Sequence, residues 1–194
     1  MQAQALALTG STARRRRTQI SDIDYHVVGR RPAVHDLPAD IDIYAGTAAA
    51  LTAKLRAGDD FVQWTLRYGC IMYDDGVLRR AAGEVLEDDI WPDGQAKLAR
   101  LPELHRLGNR LIAVGDRDAA QDHVCASLAS AARGLLLTVR IFPLSRGELP
   151  AQLRCRGRED LARALERTIY ETPTLEELGE NLRLLDLPVV TAAV

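Results

Sequence analysis

An acidic triplet, Asp22-Ile23-Asp24, leads directly into the apolar run Val27-Val28, and no other feature constrains the fold of this chain so tightly. An extended segment sends residues i and i+2 to one face, so the spacing predicts that Asp22 and Asp24 stand side by side. Two anions that close disfavour each other's ionisation, and the pair is costly unless a cation lies between them. Hard carboxylate oxygens suit Mg2+. Upstream, Ala7-Leu8-Thr9 reads as a short apolar strand that ends in Gly10-Ser11 and a basic loop, Arg14-Arg15-Arg16-Arg17. Gly10 lets the backbone pass close to a ligand, and N–H groups exposed at such a turn can hold phosphate oxygens. Ser11 and the backbone at Gly10 are therefore expected on phosphates. Arg14, the best placed of the four arginines relative to that turn, offers a forked guanidinium for the same task. A phosphate cradle beside paired metal-binding carboxylates is equipment for nucleotidyl transfer.

The second strand is expected over residues 20–29, ending at Gly29. A turn-rich connection with Pro32 and Pro38 follows, then Ala39-Asp40-Ile41-Asp42-Ile43-Tyr44, where acids and apolar residues alternate strictly. Such alternation predicts a strand with one wet face, which places Asp40 and Asp42 on the same side.

Gly10-Ser11, residues 12–21, and Asp22-Ile23-Asp24 together resemble the signature of the DNA polymerase β-like nucleotidyltransferase superfamily. Ser21 before the first Asp and Ala13-Arg14 after the Gly-Ser pair add to the likeness. It points to the small bacterial members, which include aminoglycoside nucleotidyltransferases and the minimal nucleotidyltransferases of toxin–antitoxin operons. The resemblance is closest over residues 5–45 and extends to residue 90. It implies an α+β protein: an N-terminal mixed sheet with flanking helices, followed by a C-terminal helical bundle that helps shape the acceptor pocket. It also implies two Mg2+ ions held by Asp22 and Asp24 against the phosphates of an NTP, ATP by preference. Ser21 would join Gly10, Ser11 and Arg14 on the nucleotide. Members carry a third carboxylate on the next strand, as general base or metal ligand. Asp40 is taken to match that place and to complete the metal set, with Asp42 on the same face left open. In this scheme two metals roughly 3.5–4 Å apart stabilise the attacking and departing oxygens, and a general base adds about 10²–10⁴-fold. The implied acceptor is a hydroxyl of a small molecule of the aminoglycoside kind. Adenylylation of a partner protein and non-catalytic nucleotide binding are the alternatives. Members usually carry a helix before the first strand, whereas residues 1–9 run straight into it here, leaving one sheet face thinly covered. A homodimer is one way to cover it.

Composition narrows the partners. The formal net charge of −2 supplies no pull toward nucleic acid or an anionic membrane, so neither is expected as a partner. Cys70, Cys125 and Cys155 are odd in number and far apart; they are read as buried small hydrophobes in a reducing cytoplasm rather than as a disulfide or zinc framework. No apolar run reaches the roughly 18 residues a membrane helix needs.

Past the acidic strands, Thr47 is expected to cap a helix reaching Leu55, and Phe61–Tyr68 a second. Cys70–Tyr73 reads as a short strand, with Asp74 and Asp75 as turn residues. Val77–Asp89 is helical by pattern. Trp91-Pro92-Asp93-Gly94 is the clearest break in the chain, so a catalytic domain is drawn over residues 1–90 and a helical domain over 91–194. The helical part is read as five helices: Gln95–Val114, Ala119–Arg140 after an Asp116 cap, Glu148–Arg154 with Ser145 as cap, Glu159–Tyr170, and a last one opened by a Thr174–Glu177 capping box. Arg117 and His123 on one predicted helix resemble the Arg-x4–6-His motif of helical ribonuclease domains, a rival reading that an arginine-rich chain meets easily by chance. His26 is read as packing, on the face opposite Asp24, and His35 as a loop residue.

Overall fold

The computed structural model describes residues 3–17, 21–31 and 38–186; His35 lies outside the described residues. The fold is α+β, and the chain divides into two compact units, Met1–Pro92 and Asp93–Val194.

The first unit is built on a four-stranded sheet of order β3-β2-β1-β4. Strand β1 (Ala3–Thr9) is antiparallel to β2 (Ile23–Gly29) on one side and to β4 (Cys70–Asp74) on the other, while β3 (Ile41–Gly46) lies parallel to β2. Alternation along β1 buries Ala5, Ala7 and Thr9. Their small size lets helices α2 (Ala48–Arg56), α3 (Asp60–Tyr68) and α4 (Val77–Glu87) settle closely on that face. Leu51, Leu55, Val62, Val77, Leu78, Ala81 and Val85 complete this core with Val28.

Local chemistry sets the helix starts. The Thr47 and Asp59 side chains accept from the N–H groups of Ala50 and Val62, satisfying donors that a first turn leaves unpaired. Asp74 accepts from Gly76, Leu78 and Arg79 at 3.0–3.1 Å. Partial burial works against its charge, yet these bonds hold its carboxyl below the usual range. Asp74 is thus the last residue of β4 rather than a turn residue, and its carboxylate organises the turn that leads into α4.

In the second unit, α7 (Arg117–Thr138) is the central helix, buried around most of its girth by residues such as Val124, Leu128, Ala131, Leu135 and Leu136. Around it stand α5 (Gly94–Leu98), α6 (Leu101–Val114), α8 (Leu149–Arg154, after a 3₁₀ turn at Arg146–Glu148), α9 (Glu159–Tyr170) and α10 (Leu175–Arg183). Leu101, Leu149, Leu153, Leu161, Leu165, Leu178 and Leu182 fill the interior. Asp116 caps α7 through Ala119 N–H, and the Thr174–Glu177 box opens α10.

The single helix expected over Gln95–Val114 is two, α5 and α6, broken at Ala99-Arg100. Pro102 is the cause: it has no N–H to give to the Leu98 carbonyl, and its ring would collide with that group. Pro102 sits instead in the first turn of α6, where a missing N–H costs nothing. Helix α5 then approaches α7 so closely that a Cβ on Gly94 would stand 2.5 Å from the Gly134 carbonyl oxygen. The cysteines also differ from expectation. All three are free, but only Cys125 is buried, and Cys70 and Cys155 are exposed. Among the described residues no helix is long and apolar enough to cross a membrane.

Candidate functional site

At the end of β1 the backbone turns left-handed at Gly10 (φ 64°) and makes one short helical turn, α1 (Gly10–Ala13). Two threonines fasten this turn to the start of β2. Thr9 Oγ1 donates to the Asp24 carbonyl at 3.2 Å, and Thr12 Oγ1 to the Asp22 carbonyl at 3.4 Å. The Asp24 carboxylate occupies the space a side chain on Gly10 would need, since a Cβ there would collide with Oδ2. Gly10 and Asp24 are therefore fitted to one another.

Strand register carries the site outward. Thr9 pairs with Asp24, and Asp24 pairs with Asp42 in the parallel β2–β3 ladder. In-register neighbours in a sheet share a face at about 4.8 Å between strands, so Asp24 and Asp42 are adjacent carboxylates. Asp24 is half-buried and Asp42 exposed. Asp22 is exposed and lies one residue before β2.

Asp40 is differently placed. The expected strand over Ala39–Tyr44 begins only at Ile41, because Ile41 N–H closes a turn on the Pro38 carbonyl at 3.0 Å. The Asp40 carboxylate receives Arg17 Nη2 at 2.7 Å, and Arg17 Nε donates to the Ser21 carbonyl at 3.3 Å. Arg17 thus closes the basic loop on itself across Ser21 and Asp40. Arg14, half-buried, lies with its guanidinium 5.0 Å from the centre of the Tyr68 ring. Ser11 is half-buried, and its carbonyl accepts from Arg16 N–H at 2.8 Å. The structure brings together Gly10, Asp24 and Asp42, leaves Asp22 exposed before the start of β2, and sets Asp40 with Arg17 and Arg14 with Tyr68. Thr9, Thr12 and Arg17 were not singled out from the sequence. Their signal was position alone: two threonines flanking Gly10-Ser11, and the last of four arginines.

The donor set suits Mg2+. Among the described residues no group of three or more His, Cys, Asp or Glu side chains is gathered for a metal ion. Mg2+ does not require one, because it keeps several waters and is held by one or two carboxylates plus substrate phosphates. Asp24 and Asp42, paired in register, supply that number of hard oxygens.

Two residues farther along the same strands lies an aromatic group. His26 pairs with Tyr44 in the β2–β3 register, and strand alternation puts both on the face of Asp24 and Asp42, so His26 is not on the opposite face as expected. It is packing, as expected: it is buried, with Nδ1 3.1 Å from Thr65 Oγ1. Its ring meets Tyr44 edge-on at 5.1 Å and Phe61 at 5.6 Å. Burial, assisted by the Lys54 charge, lowers its pKa to about 4, so the imidazole is neutral near pH 7. Lys54 Nζ is bonded to the Tyr44 hydroxyl.

The residues behind the ribonuclease reading are engaged separately. Arg117 pairs with Asp118 at 2.8 Å, and His123 Nε2 contacts the Leu104 carbonyl at 2.8 Å.

No protein-family model matches the chain, and no curated protein matches it. Among solved structures, it is similar to a nucleotidyltransferase-like protein from Exiguobacterium sibiricum at 18% identity and a TM-score of 0.49, over 98% of this chain and 69% of that one. A likeness of that degree leaves the chemistry to be argued from this chain's own residues.

Proposed function

We propose that this protein is a Mg2+-dependent nucleotidyltransferase that moves a nucleoside monophosphate, AMP from ATP by preference, onto a hydroxyl of a small acceptor such as an aminoglycoside-like molecule. The observation that carries this reading is the fit of the Asp24 carboxylate against Gly10, with Asp42 in register on the next strand. A glycine kept clear of side chain beside a half-buried carboxylate is wasteful in a strand end but useful where phosphate and metal must approach the backbone.

In this reading Asp24 and Asp42, with Asp22, hold Mg2+. When bound, the ion supplies Lewis-acid stabilisation of charge on the phosphoryl oxygens. The turn at Gly10-Ser11 binds the outer phosphates and keeps them in line. A carboxylate at the site takes the acceptor's hydroxyl proton as its oxygen bonds to the α-phosphorus and the bond to pyrophosphate breaks. Asp42 is assigned that proton, because Asp40 is occupied by Arg17. The experiment is incubation with each NTP, Mg2+ and a panel of hydroxylated metabolites, reading pyrophosphate. Release that depends on both acceptor and Asp24 supports the reading. No release with any NTP and no binding of Mg-ATP overturns it.

A further inference from the structure

The aromatic group beside the carboxylates has an unusual balance of burial. His26 is 3% exposed, yet Tyr44 and Phe61, which cover it, remain 37% and 39% exposed. Covering a buried imidazole does not require the covering side chains to stay more than a third exposed. Aromatic residues make up only 5% of the chain, and two large rings stand here together, edge to face at 5.1 Å. Tyr44 is further fixed from the α2 side by Lys54, whose Nζ lies 4.7 Å from the ring centre and is bonded to the hydroxyl. Phe61 is held in the first turn of α3, whose Asp59 cap sets its backbone. Both rings are therefore anchored and partly open.

Their position gives the openness a use. Tyr44 follows Asp42 by two residues on β3 and projects from the same face, about 7 Å along the strand. That offset corresponds to a ribose between a phosphate at the carboxylates and a flat ring beyond it. Rings of this kind stack on a nucleobase because every base has a π-face, at a worth that alanine substitution reveals in many single-strand binders.

We infer that Tyr44 and Phe61 form the surface that receives the base of the nucleotide. This rests on the nucleotidyltransferase reading, and it adds where the base lies and by which contact it is held.

The test is calorimetry with two probes, ATP and inorganic tripolyphosphate, each with Mg2+, on the wild type and on Tyr44→Leu, Phe61→Leu and Tyr44→Phe. Leucine keeps apolar volume at half-exposed positions and removes the π-face; far-UV melts check folding. The expected result is an ATP affinity weakened about tenfold in both leucine variants, unchanged tripolyphosphate affinity, and near-wild-type ATP binding in Tyr44→Phe. Wild-type ATP affinity in both leucine variants, or equal losses for ATP and tripolyphosphate, overturns the base surface and leaves the nucleotidyltransferase reading standing. A wild type that binds neither probe overturns both.

Discussion

The carboxylate of Asp24 fills the place that a side chain on residue 10 would take, and Gly10 holds a left-handed φ of 64° beside it. Replacement by alanine meets two penalties. A left-handed residue with a Cβ costs about 1–2 kcal/mol, and Asp24 must swing away. Gly10→Ala is expected to lower the melting temperature of the Met1–Pro92 unit by several degrees, about 4–8 °C per kcal/mol in a domain of this size. Nucleotidyl transfer should fall by much more than that loss implies. A melt paired with a pyrophosphate assay checks this; full activity in a destabilised variant refutes it.

Asp40 and Asp42 separate cleanly by substitution. Asp42→Asn should reduce transfer about 10²–10⁴-fold, the scale of a lost general base, with stability unchanged or raised as a close negative charge is relieved. Asp40→Asn breaks only an exposed pair with Arg17, which is worth about 0–1 kcal/mol, and should leave transfer near the wild-type rate. Rates and denaturant midpoints of both variants, side by side, decide the assignment.

His26 makes stability depend on pH with a definite sign. Its folded pKa of about 4 lies below the ordinary histidine value of 6.5, so below pH 6.5 the unfolded chain binds a proton that the folded chain refuses. The contribution is present in full above 6.5 and is lost as pH falls toward 4, with a slope of at most about 1.4 kcal/mol per pH unit. Urea unfolding at pH 7.5, 6, 5 and 4 should show that decline, and His26→Gln should flatten it relative to the wild type. Parallel profiles for the two proteins would refute it.

The start of α10 offers a stability test remote from the chemistry. Thr174 Oγ1 accepts from Glu177 N–H at 3.2 Å, and the Glu177 carboxylate accepts from Thr174 N–H at 2.8 Å. Thr174→Ala should cost about 1 kcal/mol, read as a lower urea midpoint with unchanged slope and unchanged transfer.

Much of the fold was legible because local chemistry and packing agree. The caps at Thr47, Asp116 and Thr174 stand where residue type and spacing put them, and α9 runs over Glu159–Tyr170 as its periodicity indicates. Where a competing local rule intervened, pattern reading failed. Apolar periodicity carried through Ala99-Arg100 hid the effect of Pro102. Alternation from Ala39 to Tyr44 hid a turn closed on Pro38, which leaves Asp40 outside β3. At the candidate site, spacing singled out Gly10, Asp24 and Asp42, which the fold brings together. That Asp24 is matched to Asp42 depends on the register of a parallel pair, which no single segment encodes. The open rings of Tyr44 and Phe61 depend on α3 crossing the sheet, a tertiary fact with no local signature.

Strand β3 is one of the two outer strands in the order β3-β2-β1-β4, held through β2 alone among the described strands, and it is six residues long. Edge elements detach at lower free energy than the interior they lean on. Peeling of this one ribbon carries Asp42 and Tyr44 away together while leaving the helices in place. Inactivation on warming should therefore precede loss of helical ellipticity, and the amide protons of Ile41–Gly46 should exchange ahead of those of the interior strands β1 and β2.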